Sequence, residues 1–376
     1  MINKKLGYYT CNGQEFSSKI RCALHASEVN QPLAWQFNND AFQQHKWHVE
    51  PIETLDQLYD RRAREIREKY DYVVLNYSGG SDCHNILKSF YRQGLLLDEV
   101  VSNWIFEASK NVTVIDPRVN AAWNQNAEFE LNAKEKLQWI TDNMPKTKIS
   151  IYDCGSNVYK YFSNAEENWI LDAMGPVNPA AVQRYNSLSI KDIRTRIDRQ
   201  RSVCTIIGID KPRCWITNNQ LYLVFMDTIA NIIPVGVHMD EYDNHTIENF
   251  YWSPESCDMI SKQCHAILNF LKASPQLQRL WAKDGLVAGA NQVREDLLKN
   301  ILYTTWDNSF QVIKPVGDWY SEYDYWFTTQ LINTKAGKNW SLGIKYLKEH
   351  IHSDLFSSES SLEACLSPEY YIGDIV

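Results

Sequence analysis

Asp71 to Gly94, DYVVLNYSGGSDCHNILKSFYRQG, decides how the rest of the chain is read. Tyr72, Val73, Val74 and Leu75 form an apolar run with the length and β-branched content of a buried parallel strand. Ser78-Gly79-Gly80-Ser81-Asp82 follows. Two adjacent glycines let the main chain turn sharply and approach a ligand with no Cβ in the way, so that successive N–H groups can point into one concavity. The spacing of Ile86, Leu87, Phe90 and Tyr91 predicts a helix that begins at once, and Gly94 is placed to end it. A strand, a glycine turn and a helix start in that order make an anion site, because unpaired amides and the positive end of the helix dipole face one point. The anion expected there is a phosphate chain.

The string Ser78-Gly79-Gly80-Ser81-Asp82-Cys83 resembles the PP-loop, the S-G-G-x-D-S/T signature of the ATP pyrophosphatase superfamily, whose members are adenine nucleotide α-hydrolase-like. The resemblance implies ATP and Mg²⁺ as ligands, with the loop holding the pyrophosphate end of the nucleotide. Cys83 stands where that signature carries a hydroxyl, and a thiol is the weaker hydrogen-bond donor. The layout up to about Arg213 is also similar to PP-loop proteins encoded by large bacteriophages. The fold implied is α/β, a doubly wound, mainly parallel sheet of the HUP-like kind, with an N-terminal extension and a helical C-terminal region.

With 376 residues, 44% hydrophobic and 22% charged, the composition is that of a globular chain of one large or two medium domains. No apolar run approaches a bilayer span and the N-terminus lacks a signal-peptide core, so no membrane partner and a cytoplasmic location are expected. Nine cysteines, scattered and without a C-x-x-C pair, argue against a disulfide framework or a zinc knuckle. The net charge of −8 gives no global attraction to nucleic acid. Thirteen tryptophans and twenty-one tyrosines suit large packed interfaces, a homo-oligomer among them.

Three parts are expected: an extension over 1–70 with a helix at 54–70, a nucleotide-binding α/β part over 71–237, and a mainly helical region over 238–376. In the first, Asn12-Gly13 signals a hairpin, and Thr54 with Gln57 forms a capping box. The arginines of the 54–70 helix read as a solvated face, and His45 and His48 as surface histidines. In the second part, strands at 95–106 and 148–152 alternate with a helix at 128–144, giving βαβαβ. Ligands of open α/β sheets sit at the carboxyl ends of strands, so Phe106 is expected beside the nucleotide. Arg118 reads as a surface loop residue with phosphate contact as the alternative.

Between Arg184 and Arg201, six positive side chains face only Asp192 and Asp198, a local inversion of charge that can attract a phosphorylated substrate or an RNA backbone, or simply be the outer face of a helix. A fourth strand over 203–209 ends in Gly208-Ile209-Asp210-Lys211-Pro212-Arg213. A glycine, a carboxylate and two cations at a strand's carboxyl end are what a site handling Mg²⁺ and polyphosphate needs beside the first loop. The layout is similar to the G-x-R loop of the sulfonucleotide reductase branch of the superfamily. Asp227 is read as ending a strand or holding a metal, and His238–His245 as a solvated loop or a metal site. A helix begins at Ser253-Pro254, and 275–302 and 334–351 are helical.

Together with these elements, the resemblance implies an adenylating ligase or transferase. Ser78, Gly79, Gly80, Ser81, Asp82 and Cys83 would bind the phosphates, with Gly208 and Phe106 at the nucleotide's edge. Asp82 or Asp210 would hold Mg²⁺, and Lys211 or Arg213 would neutralise the leaving pyrophosphate while a substrate oxygen attacks the α-phosphorus. A nitrogen or sulfur nucleophile then displaces AMP. The acceptor is a small molecule, or a nucleotide or RNA held by Arg184–Arg201. The absence of a Gly-Lys-Ser/Thr string argues against a Walker-type enzyme. Two alternatives stand beside this one: a sulfonucleotide reductase, for which Cys365 lacks the E-C-G-x-H surroundings, and a catalytically silent nucleotide-binding scaffold, which Cys83 favours. A thiolating enzyme would need a poised cysteine pair, and Cys204 and Cys214 form no such motif.

Overall fold

A computed structural model describes residues 4–104, 106, 129–173, 177–179, 188–208, 210–227, 244–283, 290–304, 306 and 322–376. The N-terminal hairpin pairs β1 (Tyr8–Cys11) with β2 (Gln14–Phe16) across Asn12 and Gly13, whose φ values of 48° and 79° are those of a two-residue hairpin turn. Helix α1 (Lys19–Val29) follows, capped by the Ser18 hydroxyl, then β3 (Ala34–Gln36), which pairs with β1. After α2 (Asn39–Gln44), helix α3 (Leu55–Lys69) starts on the predicted capping box: Thr54 accepts from Gln57 N–H and the Gln57 side chain accepts from Thr54 N–H.

The centre of the molecule is a five-stranded, all-parallel sheet flanked by helices. Its strands are β4 (Tyr72–Asn76), β5 (Glu99–Trp104), β6 (Lys148–Asp153), β7 (Val203–Ile207) and β10 (His245–Asn249), in the spatial order β10-β7-β4-β5-β6. Strand β4 is central and buried on both faces. Val73 and Leu75 join the large core with Ile86, Leu87 and Phe90 of α4 (Ser81–Arg92), while Tyr72 and Val74 pack on the other face with Val101, Val203 and Ile193. Each such fully buried aliphatic or aromatic side chain contributes about 1.5–3 kcal/mol. That two-sided burial is why the run reads as continuous rather than alternating.

Helix α5 (Lys134–Asn143) is preceded by one π-helical turn over Phe129–Ala133 and leads into β6, then α6 (Gly155–Asn164) and α7 (Leu188–Arg196). Strands β8 (Arg213–Thr217) and β9 (Gln220–Val224) form an antiparallel hairpin between β7 and β10, turning at Asn218 and Asn219, both with positive φ. The C-terminal part holds α8 (Cys257–Ala273), α9 (Ala290–Leu302), α10 (Glu322–Gln330) and α11 (Lys335–His350), then the small pair β11 (Phe356–Ser358) and β12 (Ser361–Leu362), and β13 (Tyr370–Asp374), which pairs with β9.

Several expectations change at this level. The parallel sheet takes its fifth strand, β10, from beyond residue 237, and β13 completes an antiparallel sheet, so strands stand among the helices of the region over 238–376. Segment 275–302 divides into a 3-10 turn, Pro275–Trp281, and α9, with 284–289 outside the described residues. Ser253-Pro254 opens a 3-10 turn, with the α-helix starting at Cys257. The α3 arginines are only partly solvated: Arg62 is buried against Glu248 at 3.0 Å, and Arg67 bridges to Asp98 and to the Leu96 and Tyr70 carbonyls. No helix among the described residues is long and apolar enough to cross a membrane.

Candidate functional site

Register places the site. In the β4–β7 ladder Asn76 lies opposite Ile207, so the segments that leave the two strands, Tyr77-Ser78-Gly79-Gly80 and Gly208 onward, emerge side by side at the carboxyl end of the sheet. Gly79 has φ +78°, the left-handed region, and a Cβ built there would stand 2.9 Å from the Ala133 Cα. Gly80 is the N-cap of α4, and the first intrahelical bond runs from His84 N–H to Gly80 O. The amides of Ser81, Asp82 and Cys83 are therefore those that a helix start leaves without an intrahelical acceptor. Ser78 is exposed and its Oγ accepts from Gly80 N–H at 3.3 Å, while Ser81 is buried.

Gly208 permits the closest approach across the crevice. A Cβ there would lie 3.1 Å from Ile86 Cδ1 and 3.2 Å from the Cys83 N and Cα. The end of β7 is thus packed directly against the start of α4. Beyond Gly208, Asp210, Lys211 and Arg213 turn towards Asp82. Lys211 Nζ lies 2.9 Å from Asp82 Oδ2 and 3.7 Å from Asp210 Oδ1, and Arg213 Nη2 donates to Asp210 Oδ2 at 2.9 Å. All four residues assigned catalytic roles from sequence therefore meet in one place.

Five side chains from elsewhere complete the cluster. Glu295 of α9 lies 3.6 Å from Lys211 Nζ and 3.3 Å from Arg213 Nη1. The Tyr303 hydroxyl donates to Asp82 Oδ1 at 2.5 Å, and the Tyr251 hydroxyl donates to the Asp82 carbonyl at 2.9 Å. Asn132 Nδ2 and Lys136 Nζ both donate to the Gly79 carbonyl, at 3.1 and 2.7 Å, and Lys136 stands over the Trp306 ring at 4.1 Å. Asn132 and Lys136 carry one usable signal in the sequence: they sit four apart, one position before Ala133 and Leu137 of the apolar stripe. Glu295 and Tyr303 had none.

Burial opposes the charge on Lys211, but Asp82, Glu295 and Asp210 outweigh it and raise its pKa well above the ordinary lysine value. Burial likewise pushes Asp210 up, and Arg213 and Lys211 reverse this and hold it below the usual carboxylate range. His84, in the first turn of α4, shares a 2.9 Å hydrogen bond with the Tyr77 hydroxyl and is held neutral, its pKa lowered to about 3 by burial and by the charges of Lys136 and Lys88. The Cys83 thiol is buried and points inward, donating to Gly80 O at 3.2 Å with Ser78 Oγ 3.5 Å away; burial raises its pKa. Position 83 thus braces the loop from inside.

Phe106 lies at the same end of the sheet, its N–H donating to Asp153 Oδ1 at 3.3 Å and its ring 5.0 Å from Phe129. Among the described residues no group of three or more His, Cys, Asp or Glu side chains is arranged to hold a metal ion. Asp82 and Asp210 face a common cation, the Lys211 ammonium.

Other candidates lie away from this crevice. Arg194, Arg196 and Arg201 stand at the amino ends of the strands, engaged by the Arg201 and Arg199 carbonyls, by Glu99 with Asp192, and by the Asp71 carbonyl respectively. The local positive balance is therefore at the far end of the sheet from Gly79; Arg184 lies outside the described residues. Asp227 is fully buried, with Lys19 Nζ at 2.7 Å, the Tyr9 hydroxyl at 2.8 Å and the Cys365 N–H at 2.8 Å, so it ties distant segments together. Cys365 sits beside it, its thiol pushed up to about 12 by burial and by Asp227. His245 is a buried strand residue bonded to Thr205 Oγ1, and His265 is bonded to the Trp47 carbonyl. Arg118 and residues 238–243 lie outside the described residues. No protein-family model and no curated protein matches the chain.

Proposed function

We propose that the chain is a PP-loop enzyme of the ATP pyrophosphatase type, which binds ATP with Mg²⁺ and adenylates an acceptor oxygen with release of pyrophosphate. One observation carries this reading: the diglycine bend and the Gly208–Arg213 segment meet between β4 and β7. Counted along the parallel sheet alone, the strands run 3-2-1-4-5, so β4 and β7 are first and fourth, and the crevice between them is where the order reverses. In doubly wound sheets, the HUP-like kind included, ligands bind at that switch point, outside the carboxyl ends of the strands.

The residues present fit a polyphosphate. A left-handed glycine, a helix N-terminus and a second glycine that removes bulk opposite Cys83 leave main-chain amides approachable, and Lys211 and Arg213 supply positive charge. Bound there, ATP with Mg²⁺ supplies an activated α-phosphorus, from which the acceptor oxygen takes AMP as pyrophosphate leaves. Asp82 or Asp210 would hold the ion, a small carboxylate share that suits a cation otherwise ligated by phosphate and water. Lys211 is shared among three carboxylates, so turning it towards phosphate trades ion pairs of similar strength, and Arg213 stays anchored on Asp210 and Glu295. A nitrogen or sulfur nucleophile would then displace AMP.

The test is incubation of purified protein and Mg²⁺ with α-labelled ATP, alone and with cell extract. Release of AMP and pyrophosphate supports the reading; ADP would mean cleavage at the wrong bond. Binding without turnover would favour the nucleotide-binding scaffold, a reading that the engagement of both Asp82 oxygens by Lys211 and Tyr303 also supports.

A further inference from the structure

The peptide unit joining Gly79 to Gly80 has two edges that face different surroundings. Its carbonyl is held by Asn132 Nδ2 and Lys136 Nζ, both side chains on buried residues of the π turn and α5. Its N–H points to the hydroxyl of exposed Ser78. A trans peptide sets C=O and N–H on opposite sides, so fixing one fixes the direction of the other. With φ at +78°, Gly79 is freer than any other residue type to let this peptide flip, which makes an external hold on the carbonyl consequential. The ammonium of Lys136 is itself set in place by Asn132 Oδ1 and by the face of Trp306.

We propose that Lys136, assisted by Asn132, is the positioning residue of the glycine loop: by gripping the Gly79 carbonyl from the buried side it keeps the Gly80 N–H aimed at the open side, where a polyphosphate is received. This rests on the reading of the loop as a phosphate site. It assigns a binding role to a helix that carries no recognisable motif. The charge matters as well as the hydrogen bond, since an ammonium on a carbonyl polarises the peptide and strengthens the N–H opposite.

The experiment titrates wild-type protein, Lys136→Met, Asn132→Ala and the control Lys88→Met with Mg·ATP and with inorganic tripolyphosphate by calorimetry. In parallel, ¹⁵N-glycine-labelled samples report the Gly80 amide resonance. Lys88 is a suitable control because its ammonium lies over the Trp139 ring, at 3.7 Å. Expected are a roughly tenfold loss of affinity for both ligands in Lys136→Met, about threefold in Asn132→Ala, and less than twofold in Lys88→Met. The ligand-induced shift of the Gly80 amide should vanish in Lys136→Met while melting stays close to wild type. Affinity within twofold of wild type in Lys136→Met, or an equal loss in Lys88→Met, overturns the assignment. Should Lys136→Met not fold, Asn132→Ala decides: an unchanged affinity and an unchanged Gly80 shift overturn it equally. Wild-type protein that binds neither ligand refutes the phosphate reading itself, a result distinguishable from the others because it needs no variant.

Discussion

Two alanine substitutions at neighbouring positions separate the architecture of the loop from its proposed use. At Gly79 a side chain would face left-handed backbone, φ +78°, and a Cβ 2.9 Å from the Ala133 Cα and 3.1 Å from its Cβ. The backbone term costs about 1–2 kcal/mol, and pressing a methyl group against main chain that cannot step aside costs about 1–3 kcal/mol. Gly79→Ala should therefore lose about 2–5 kcal/mol of stability. Gly80 has φ −69° and ψ 166°, ordinary extended backbone, and its Cβ would meet only the Ser78 Oγ at 3.3 Å, the end of a short side chain on an exposed residue rather than main chain. Gly80→Ala should stay within about 1 kcal/mol of wild type, helped by the lower entropy of its unfolded chain. Its new methyl group nonetheless stands on the open side of the loop, so Mg·ATP affinity should fall by about tenfold or more, roughly the worth of one displaced charge-assisted hydrogen bond. Urea unfolding followed by tryptophan fluorescence gives the first quantity and calorimetric titration the second. Equal stabilities for the two variants would refute the described bend. Undiminished ATP binding by Gly80→Ala would refute the face of the loop assigned to phosphate.

Other outcomes follow from the same geometry. Cys83→Ser keeps a donor for Gly80 O and an acceptor near Ser78, so stability should change by less than about 1 kcal/mol and Mg·ATP affinity should be kept or improved; both are read in the assays above. Asp227→Asn leaves the Lys19 ammonium buried without its counter-charge and should cost about 3–5 kcal/mol, seen as a lower urea midpoint. His245 and His84 are held neutral by burial, with folded pKa values of about 4 and about 3, below the ordinary histidine value near 6.5. The unfolded chain therefore takes up protons first, and stability, undiminished above pH 6.5, declines as pH falls through the window towards 4 and 3. For buried His245 that amounts to about 2 kcal/mol between pH 6.5 and 5; unfolding free energies that rise on acidification over this interval would contradict it.

The strand, the bend, the helix and the Asp210–Arg213 segment are legible in the residues because each is a local arrangement with its own signature. Apolar run, paired glycines and stripe are contiguous, and the ladder register between Asn76 and Ile207 then brings the second loop beside the first. Glu295 and Tyr303 carry no such signature, because a single acidic residue within a helix or an aromatic one just past its end looks the same in sequence whether it faces solvent or Lys211 and Asp82. The arginines of α7 and its neighbourhood form a cluster in sequence, of which Arg194 is buried against main-chain carbonyls and Arg196 is drawn to buried Glu99, while Arg199 and Arg201 stay exposed. The fifth parallel strand was hidden because His245–Asn249, HTIEN, holds one apolar residue, Ile247, among four polar ones, and its polar members are stabilised by partners far along the chain, such as Glu248 with Arg62 and Lys69.

The knot around Asp227 bears on how the protein is made. Its positive partner is near the beginning of the chain, at Lys19, and the amide that closes it belongs to Cys365. During synthesis Lys19 and Tyr9 must wait for Asp227 and for the segment around Cys365, and β13 cannot zip onto Gln220–Val224 before it has been made. A chain cut between Asp227 and Cys365 should therefore keep Lys19 and Tyr9 on Asp227 but lose the amide that closes the cluster and the β13 edge of its sheet, and should unfold at lower urea.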